Sequence, residues 1–211
     1  ELARAQEKTG EDAGNGDPDA NPEADALPAL ARLGTLPEDA EGFAKYDVII
    51  LGDVSPALLT PPTQEALVAA VREKAVGLIV QAGTQHMPQA YADAPLGTLI
   101  PLAVTARPVG QGGMMAEAFA PFTLQVTDAG FLCPAFRPYD QLINNREIWQ
   151  RMPELYWAMD GHEIEGGGRV LAQVKTIGGP QPLIAETGAG KGRVFLIGTD
   201  STYRWKKNIG D

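Results

Sequence analysis

The sequence has 211 residues, 44% of them hydrophobic, which is enough to bury one sizeable core. The formal net charge is −10, and residues 1–43 hold 11 acidic and 3 basic residues, which leaves 16 acidic and 14 basic residues for the rest. That nearly neutral remainder has no basic stripe of the kind that nucleic acid binding needs, so we expect no nucleic acid partner. The single cysteine, Cys133, excludes an intramolecular disulfide and a thiolate metal cluster.

The first 35 residues are predicted to form an acidic flexible segment, because Asp, Glu, Gly, Asn and Pro dominate and little can be buried. A calcium loop in "DAGNGDPDA" is set aside, since the D-x-[DN]-x-[DN]-G pattern and its closing Glu are missing. No apolar run approaches the roughly 20 residues that span a bilayer. The chain begins without Met and ends abruptly, so we expect a piece of a longer protein.

The stretch from Tyr46 to Val80 predicts a strand, a helix and a second strand. "YDVIILG" and "VGLIV" are continuous apolar runs, and the helix is predicted over Pro62–Lys74 because apolar residues recur at helical spacing. Strand, helix and strand at this spacing favour a pair of parallel strands. The helix is expected to pack on the sheet through Leu67, Ala70 and Val71.

Residues 95–136 are rich in Pro and Gly and are predicted to be an irregular insertion with strand-like pieces such as "FTLQVT". Cys133 lies within it between apolar residues, which favours a buried side chain over a reactive thiol. A helix is expected next, carrying Leu142, Ile148, Trp149 and Leu155, with a break at Pro153.

Three strand candidates follow, "RVLAQV", "PLIAET" and "GRVFLIGTD", and the glycine-rich turns between them indicate antiparallel pairing. "TGAGKGRV" is interpreted as a hairpin turn, because a phosphate-binding loop would open a helix and this one leads into a strand. "GQGGM" at 110–114 lacks the context of a dinucleotide site. His162 is expected on a surface loop, where one His with acidic neighbours gives too few ligands at fixed spacing for a metal site. We also expect no cofactor.

Three stretches carry a resemblance to a known family: 46–91, "ELYWAMDGHEIEGGGRVLAQ" and "GKGRVFLIGTDSTYRWKKNIGD". From about Leu36 onward the chain resembles the glutamine amidotransferase-like domain of large bacterial membrane proteins, which often lies beside a von Willebrand A-type domain. The resemblance implies an α/β, flavodoxin-like three-layer fold for residues 36–211, with a mostly parallel central sheet and antiparallel edge strands. It also implies a membrane-anchored full-length protein with this domain soluble and extracytoplasmic.

Class I amidotransferases place a catalytic Cys in the turn after the strand equivalent to "VGLIV" and a His at the end of a later strand. Here Ala82 falls near the nucleophile position, and Asp200 and Ser201 stand where the His would be. The resemblance therefore implies a catalytically inactive module that serves recognition or scaffolding, with protein partners or neighbouring domains of the same chain. The alternative is a hydrolase or amidotransferase that uses Thr84, His86 and an aspartate.

The carboxyl ends of the parallel strands are predicted to meet at one edge of the sheet and to form a cleft there. The "YRWKK" cluster after the last strand has two interpretations: it contacts a partner or a membrane face, or Trp205 packs on the core with Arg204 and the lysines solvated. No catalytic residue is assigned. The predicted cleft residues are Asp53, Thr84, Gln85, His86, Asp200 and Ser201.

Overall fold

In the computed structural model, the residues described are 35–104, 121–163, 167–176 and 179–208. The predicted acidic segment lies outside these residues except for Thr35, and so does the stretch 110–114. Leu36–Asp211 forms one unit, and the description below concerns this unit.

Eight strands and five α-helices make up the described part of this unit. The strands are β1 Val48–Leu51, β2 Gly77–Gln81, β3 Leu102–Val104, β4 Gln125–Val126, β5 Gly161–Glu163, β6 Arg169–Thr176, β7 Gly179–Ala189 and β8 Gly192–Ile197. The helices are α1 Ala40–Phe43, α2 Pro61–Lys74, α3 Asp128–Leu132, α4 Leu142–Arg151 and α5 Tyr203–Asn208. The α/β fold class predicted from the sequence is confirmed.

Six of the strands form one mixed sheet in the order β1-β2-β8-β7-β6-β4, and β3 pairs with β5 in a separate antiparallel pair. β1 pairs with β2, which confirms the predicted parallel pair, and β2 pairs with β8, also in parallel. β8, β7, β6 and β4 are joined by antiparallel pairings. The antiparallel part is therefore half of the sheet and larger than the edge that the sequence predicted.

The turn between β7 and β8 explains why these strands are antiparallel. Gly190 has a φ of 60°, and a Cβ added there would overlap the backbone of Arg72. Glycine adopts this left-handed conformation without the strain that other residues meet. The hairpin interpretation of "TGAGKGRV" is confirmed.

Helix α2 covers one face of the parallel strands. It begins at Pro61, one residue earlier than predicted, and ends at Lys74, where Ala75 adopts a left-handed φ of 63°. Leu67, Ala70 and Val71 are fully buried, as predicted. Burial of a Leu or Val side chain contributes roughly 1.5–3 kcal/mol each, so this contact anchors the helix.

Strand β8 contributes to two hydrophobic cores because successive strand residues point to opposite faces of a sheet. Val194 and Leu196 belong to the core beneath α2, whereas Phe195 and Ile197 pack against a second core. Cys133 lies buried in the second core, which confirms the expected burial.

The helix predicted over residues 142–155 is shorter than expected. α4 ends at Arg151, and Leu155 lies in an antiparallel bridge with Phe122. Pro153 is the cause, since a proline restricts the preceding residue to extended backbone, and Met152 has a ψ of 141°. Leu142 is exposed and Asn145 is the residue that α4 buries, through paired hydrogen bonds with the backbone N–H and C=O of Tyr139.

The predicted insertion over residues 95–136 contains short regular elements where it is described. These are 3-10 helices at Pro95–Leu99 and Pro134–Phe136, strands β3 and β4, and helix α3. The strand-like "FTLQVT" contributes only the two residues of β4. The side chain of Thr127 caps α3 by accepting a hydrogen bond from the backbone N–H of Gly130 at 2.9 Å.

Candidate binding site at the carboxyl edge of the parallel strands

The carboxyl ends of β1, β2 and β8 lie side by side, because the three strands are parallel neighbours. The loops after β2 and β8 are in direct contact at this edge. The backbone N–H of Ala82 donates to the carbonyl of Ile197 at 2.8 Å, and the Gln81 amide donates to the carbonyl of Thr199 at 3.4 Å. The predicted convergence of these loops is present in the structure.

Asp53, just after β1, binds the loop that follows β2. Its carboxylate accepts hydrogen bonds from three successive backbone N–H groups: Gln85 at 2.8 Å, His86 at 2.7 Å and Met87 at 2.8 Å. An ionised carboxylate accepts hydrogen bonds at both oxygens, and such charge-assisted bonds are stronger than neutral ones. Asp53 therefore fixes the backbone of the turn.

Gly83 makes this contact possible. A Cβ added to Gly83 would overlap the Cβ and Cγ of Asp53. The N–H of Gly83 also donates to the carbonyl of Met87 at 2.9 Å and closes the turn. The requirement for glycine here comes from close approach.

Tyr91 supports the same loop from the core. Its side chain is fully buried, and its hydroxyl donates to the carbonyl of Val54 at 2.9 Å. Burial raises the pKa of Tyr91 to about 12, and the negative charge of Asp53 adds to the shift. The hydroxyl is therefore neutral and a donor at physiological pH.

The nucleophile and base of the alternative prediction are not paired. Among the described residues, no hydrogen bond joins the Thr84 hydroxyl to His86. Asp53 binds the backbone N–H of His86, and the ring Nδ1 of His86 is buried without a hydrogen-bond partner in the described part of the chain. Thr84 and His86 are therefore not joined to each other and to an aspartate side chain as the nucleophile, base and carboxylate of a hydrolytic triad.

At the end of β8, hydroxyl groups hold the second loop. Thr199 is fully buried, and its hydroxyl donates to the carbonyl of Trp157 at 2.6 Å and accepts from the N–H of Ser201 at 3.0 Å. The Ser201 hydroxyl donates to the carboxylate of exposed Asp200 at 3.2 Å. Ser201 itself is buried, so Asp200 is the group of this pair that faces solvent.

The residue directly after β2 carries only a methyl group. Ala82 follows β2 directly and is buried in the core beneath α2. Cys133, the single thiol of the chain, packs in the other core with residues such as Phe136. No thiol is therefore present at this edge of the sheet.

Sequence reasoning missed four polar residues around this edge. Thr199 and Tyr91 hold the loops as described above. Gln89 and Trp157 are buried, and Gln89 Nε2 and Trp157 Nε1 have no hydrogen-bond partner in the described structure. The sequence offered little signal for them, because a single Thr, Tyr, Gln or Trp is compatible with an ordinary core position.

His162 belongs to strand β5, which corrects the predicted loop, and its exposed ring lies 3.7 Å from the Asp160 carboxylate. In the described residues no group of His, Cys, Asp and Glu side chains could hold a metal ion.

The "YRWKK" cluster follows this edge directly, since the backbone N–H of Arg204 donates to the carbonyl of Ser201 at 3.1 Å. Trp205 packs against the second core, and its Nε1 donates to the carbonyl of Pro153 at 3.0 Å, which confirms the packing interpretation. Arg204 is half-buried rather than fully solvated, since its guanidinium stacks over the Tyr156 ring at 4.4 Å and its Nε is buried. The side chains of the two lysines lie outside the described residues. Within the described ranges, no helix has the length and hydrophobicity needed to cross a bilayer.

Comparisons with known proteins show similarity of fold. No protein-family model matches the chain, and no curated protein matches its sequence. The solved structure of Cytoplasmic Protein STM3548 from Salmonella typhimurium has a TM-score of 0.61 at 12% identity, with 83% of this chain and 69% of that chain covered. Cytoplasmic Protein STM1381 from Salmonella typhimurium LT2 has a TM-score of 0.54 at 18% identity, with 80% and 66% covered.

The chain thus spans about two thirds of the length of each of these proteins. At such low identity the similarity concerns the fold alone. It agrees with the mixed α/β architecture described above, and a shared fold does not define a function.

Proposed function

We propose that this chain is a catalytically inactive, amidotransferase-like module that serves recognition or scaffolding in a membrane-anchored bacterial protein. The fold proposed is the flavodoxin-like three-layer arrangement. One observation supports the proposal most: the carboxylate of Asp53 accepts hydrogen bonds from three backbone N–H groups of the turn after β2 and so has a structural role. At this edge the polar groups hold the loops, and the position of the nucleophile is taken by Ala82.

The chemistry of glutamine hydrolysis explains why Ala82 matters. Acyl transfer from glutamine needs an activated thiolate and a base that moves its proton. Ala82 offers a methyl group, and Asp200 and Ser201 offer a carboxylate and a buried hydroxyl where a His would be needed. Among the described residues, no nucleophile at this edge is paired with a base that could accept its proton.

The same edge retains groups suited to binding. Asp53, Gln85 and Asp200 are exposed, and they combine two carboxylates with a side-chain amide. Such a surface fits a protein partner, or a neighbouring domain of the same chain, that presents basic or hydrogen-bond donor groups. Membrane anchoring and an extracytoplasmic position are proposed from the family resemblance alone.

A glutamine hydrolysis assay tests the proposal. Ammonia release is measured for the wild-type chain and for Cys133→Ser, with a class I amidotransferase as the positive control. We expect background rates for both proteins. Turnover in the wild type that Cys133→Ser removes would show a working thiol and overturn the proposal.

A second candidate is a hydrolase that uses Thr84 and His86, and the unpartnered Nδ1 of His86 favours it. Hydrolysis of p-nitrophenyl acetate by the wild type, Thr84→Ala and His86→Ala tests it. The inactive module predicts equal background rates in all three. A rate that both substitutions reduce to background would support the hydrolase.

A further inference from the structure

Three charged side chains lie together on β6, β7 and β8, at the opposite end of β8 from the site described above. Arg169 pairs across the strands with Glu186, and Arg193 pairs with Gly188. Glu186 and Gly188 share a face of β7, because side chains two residues apart on a strand point the same way. Arg193 is thus a diagonal neighbour of Glu186.

Glu186 is the centre of this cluster. Its side chain is 8% exposed, and one carboxylate oxygen, Oε1, accepts from both Nε and Nη2 of Arg169. A buried carboxylate requires a compensating charge, and this double contact supplies it. Glu186 therefore holds the Arg169 guanidinium in a fixed orientation.

Arg193 adds a second positive charge. Its Nη1 lies 3.8 Å from the other oxygen of Glu186, and its side chain is 74% exposed. Since one guanidinium already balances the Glu186 carboxylate, the two arginines and one glutamate give the cluster a net charge of +1. The chain as a whole has a net charge of −10, so this cluster differs in sign from the molecule that carries it.

A cleft of about 280 Å³ opens over these residues. Gly188 lines this cleft, and a Cβ added there would meet no atom within 4 Å. The space beside the two guanidinium groups is therefore open because the residue opposite Arg193 has no side chain. The lining residues are Gly167, Gly168, Arg169, Glu186, Thr187, Gly188 and Arg193.

We propose that this cleft binds an oxyanion, the carboxylate or phosphate group of a small molecule. Guanidinium groups match the geometry of both anions with parallel N–H donors. Arg193 is assigned as the direct ligand, Arg169 as the second donor, and Glu186 as the residue that positions Arg169. The site does not depend on the proposed function of the carboxyl edge, since it uses none of its residues.

Isothermal titration calorimetry tests the proposal with two probes, inorganic phosphate and N-acetylglycine, at low ionic strength. The variants are Arg193→Gln, which removes the charge, and Arg193→Lys, which keeps the charge and removes the planar fork. Arg151→Gln is the matched control, because Arg151 is an exposed arginine on α4 that lies 3.9 Å from Glu147 and away from the cleft. Circular dichroism confirms that each variant is folded.

We expect saturable binding of at least one probe by the wild type and by Arg151→Gln. Arg193→Gln should weaken that binding by at least about tenfold, the loss expected for one charge-assisted pair. The affinity of Arg193→Lys should lie between that of the wild type and that of Arg193→Gln. The stronger probe identifies the anion as carboxylate or phosphate. Absence of saturable binding for both probes, or equal affinity of Arg193→Gln and the wild type, would overturn the proposal.

Discussion

Asp53 and Gly83 pack against each other so closely that a Cβ on Gly83 would overlap the Asp53 side chain. The contact joins the end of β1 to the turn after β2, which the Asp53 carboxylate then binds through three backbone N–H groups. The conformation of the turn after β2 therefore depends on one carboxylate and on the absence of a side chain at Gly83.

Gly83→Ala should destabilise the chain, because the new methyl group displaces the Asp53 carboxylate from the turn. Overpacking of this kind costs about 1–3 kcal/mol of unfolding free energy. Gly52→Ala is the matched control, since a Cβ there meets no atom within 4 Å. Urea denaturation measures both variants, and equal stability of the two would contradict the close packing described.

Asp53→Ala should release the turn without unfolding the sheet. The loss of three hydrogen bonds from an exposed carboxylate is expected to cost about 1–3 kcal/mol. Hydrogen–deuterium exchange should show faster exchange of the N–H groups of residues 85–87. Asp93→Ala, at another exposed carboxylate of the region, should leave those rates unchanged. Unaltered protection in Asp53→Ala would contradict the assigned role.

Ionisation of Tyr91 should make the folded chain less stable at high pH. Its pKa is raised to about 12 in the folded state, against 10.0 for the free side chain, so the unfolded chain loses this proton first. The contribution of Tyr91 to stability is complete below pH 10 and is lost as the pH rises toward 12. In Tyr91→Phe the decline in melting temperature between pH 9.5 and 11.5 should be shallower than in the wild type. Parallel curves would contradict the shift.

Trp205→Ala should destabilise the second core. Trp205 packs edge-on to Trp149, with ring centroids 5.8 Å apart, and its Nε1 donates to the Pro153 carbonyl. Truncation of a partly buried tryptophan is expected to cost about 2–4 kcal/mol. Ile143→Ala, at an exposed position on α4, should change stability by less than about 0.5 kcal/mol. A cost for Trp205→Ala as small as that of Ile143→Ala would contradict the packing.

The sequence predicted the parallel strands well because their apolar runs are long and uninterrupted. β1, β2 and β8 each combine a run of Val, Ile and Leu with a polar or glycine-rich end, and α2 shows helical spacing of Leu67, Ala70 and Val71. These are local patterns that do not depend on distant contacts. The convergence of the loops after these strands follows from parallel pairing.

The residues that the sequence does not place correctly depend on contacts that hydrophobic spacing does not show. Leu142 fits helical spacing but is exposed, and α4 instead buries Asn145, which binds the backbone of Tyr139. The sequence suggests that Arg204 is a solvated cation, because it does not show that the guanidinium stacks on the Tyr156 ring. The sequence predicts Asp53 as a cleft residue but does not predict its bonds to the turn, whose N–H groups lie 32–34 residues further along the chain. No local pattern encodes these contacts.

The claim that this edge lacks a working nucleophile is tested most directly by covalent labelling with a glutamine-analogue electrophile, 6-diazo-5-oxo-norleucine. The purified chain is incubated with the reagent at neutral pH, and its intact mass is then measured beside that of a class I amidotransferase. We predict an unmodified mass for this chain and a single adduct on the control enzyme. A stoichiometric adduct that peptide mapping places on Thr84, Ser201 or Cys133 would contradict the account.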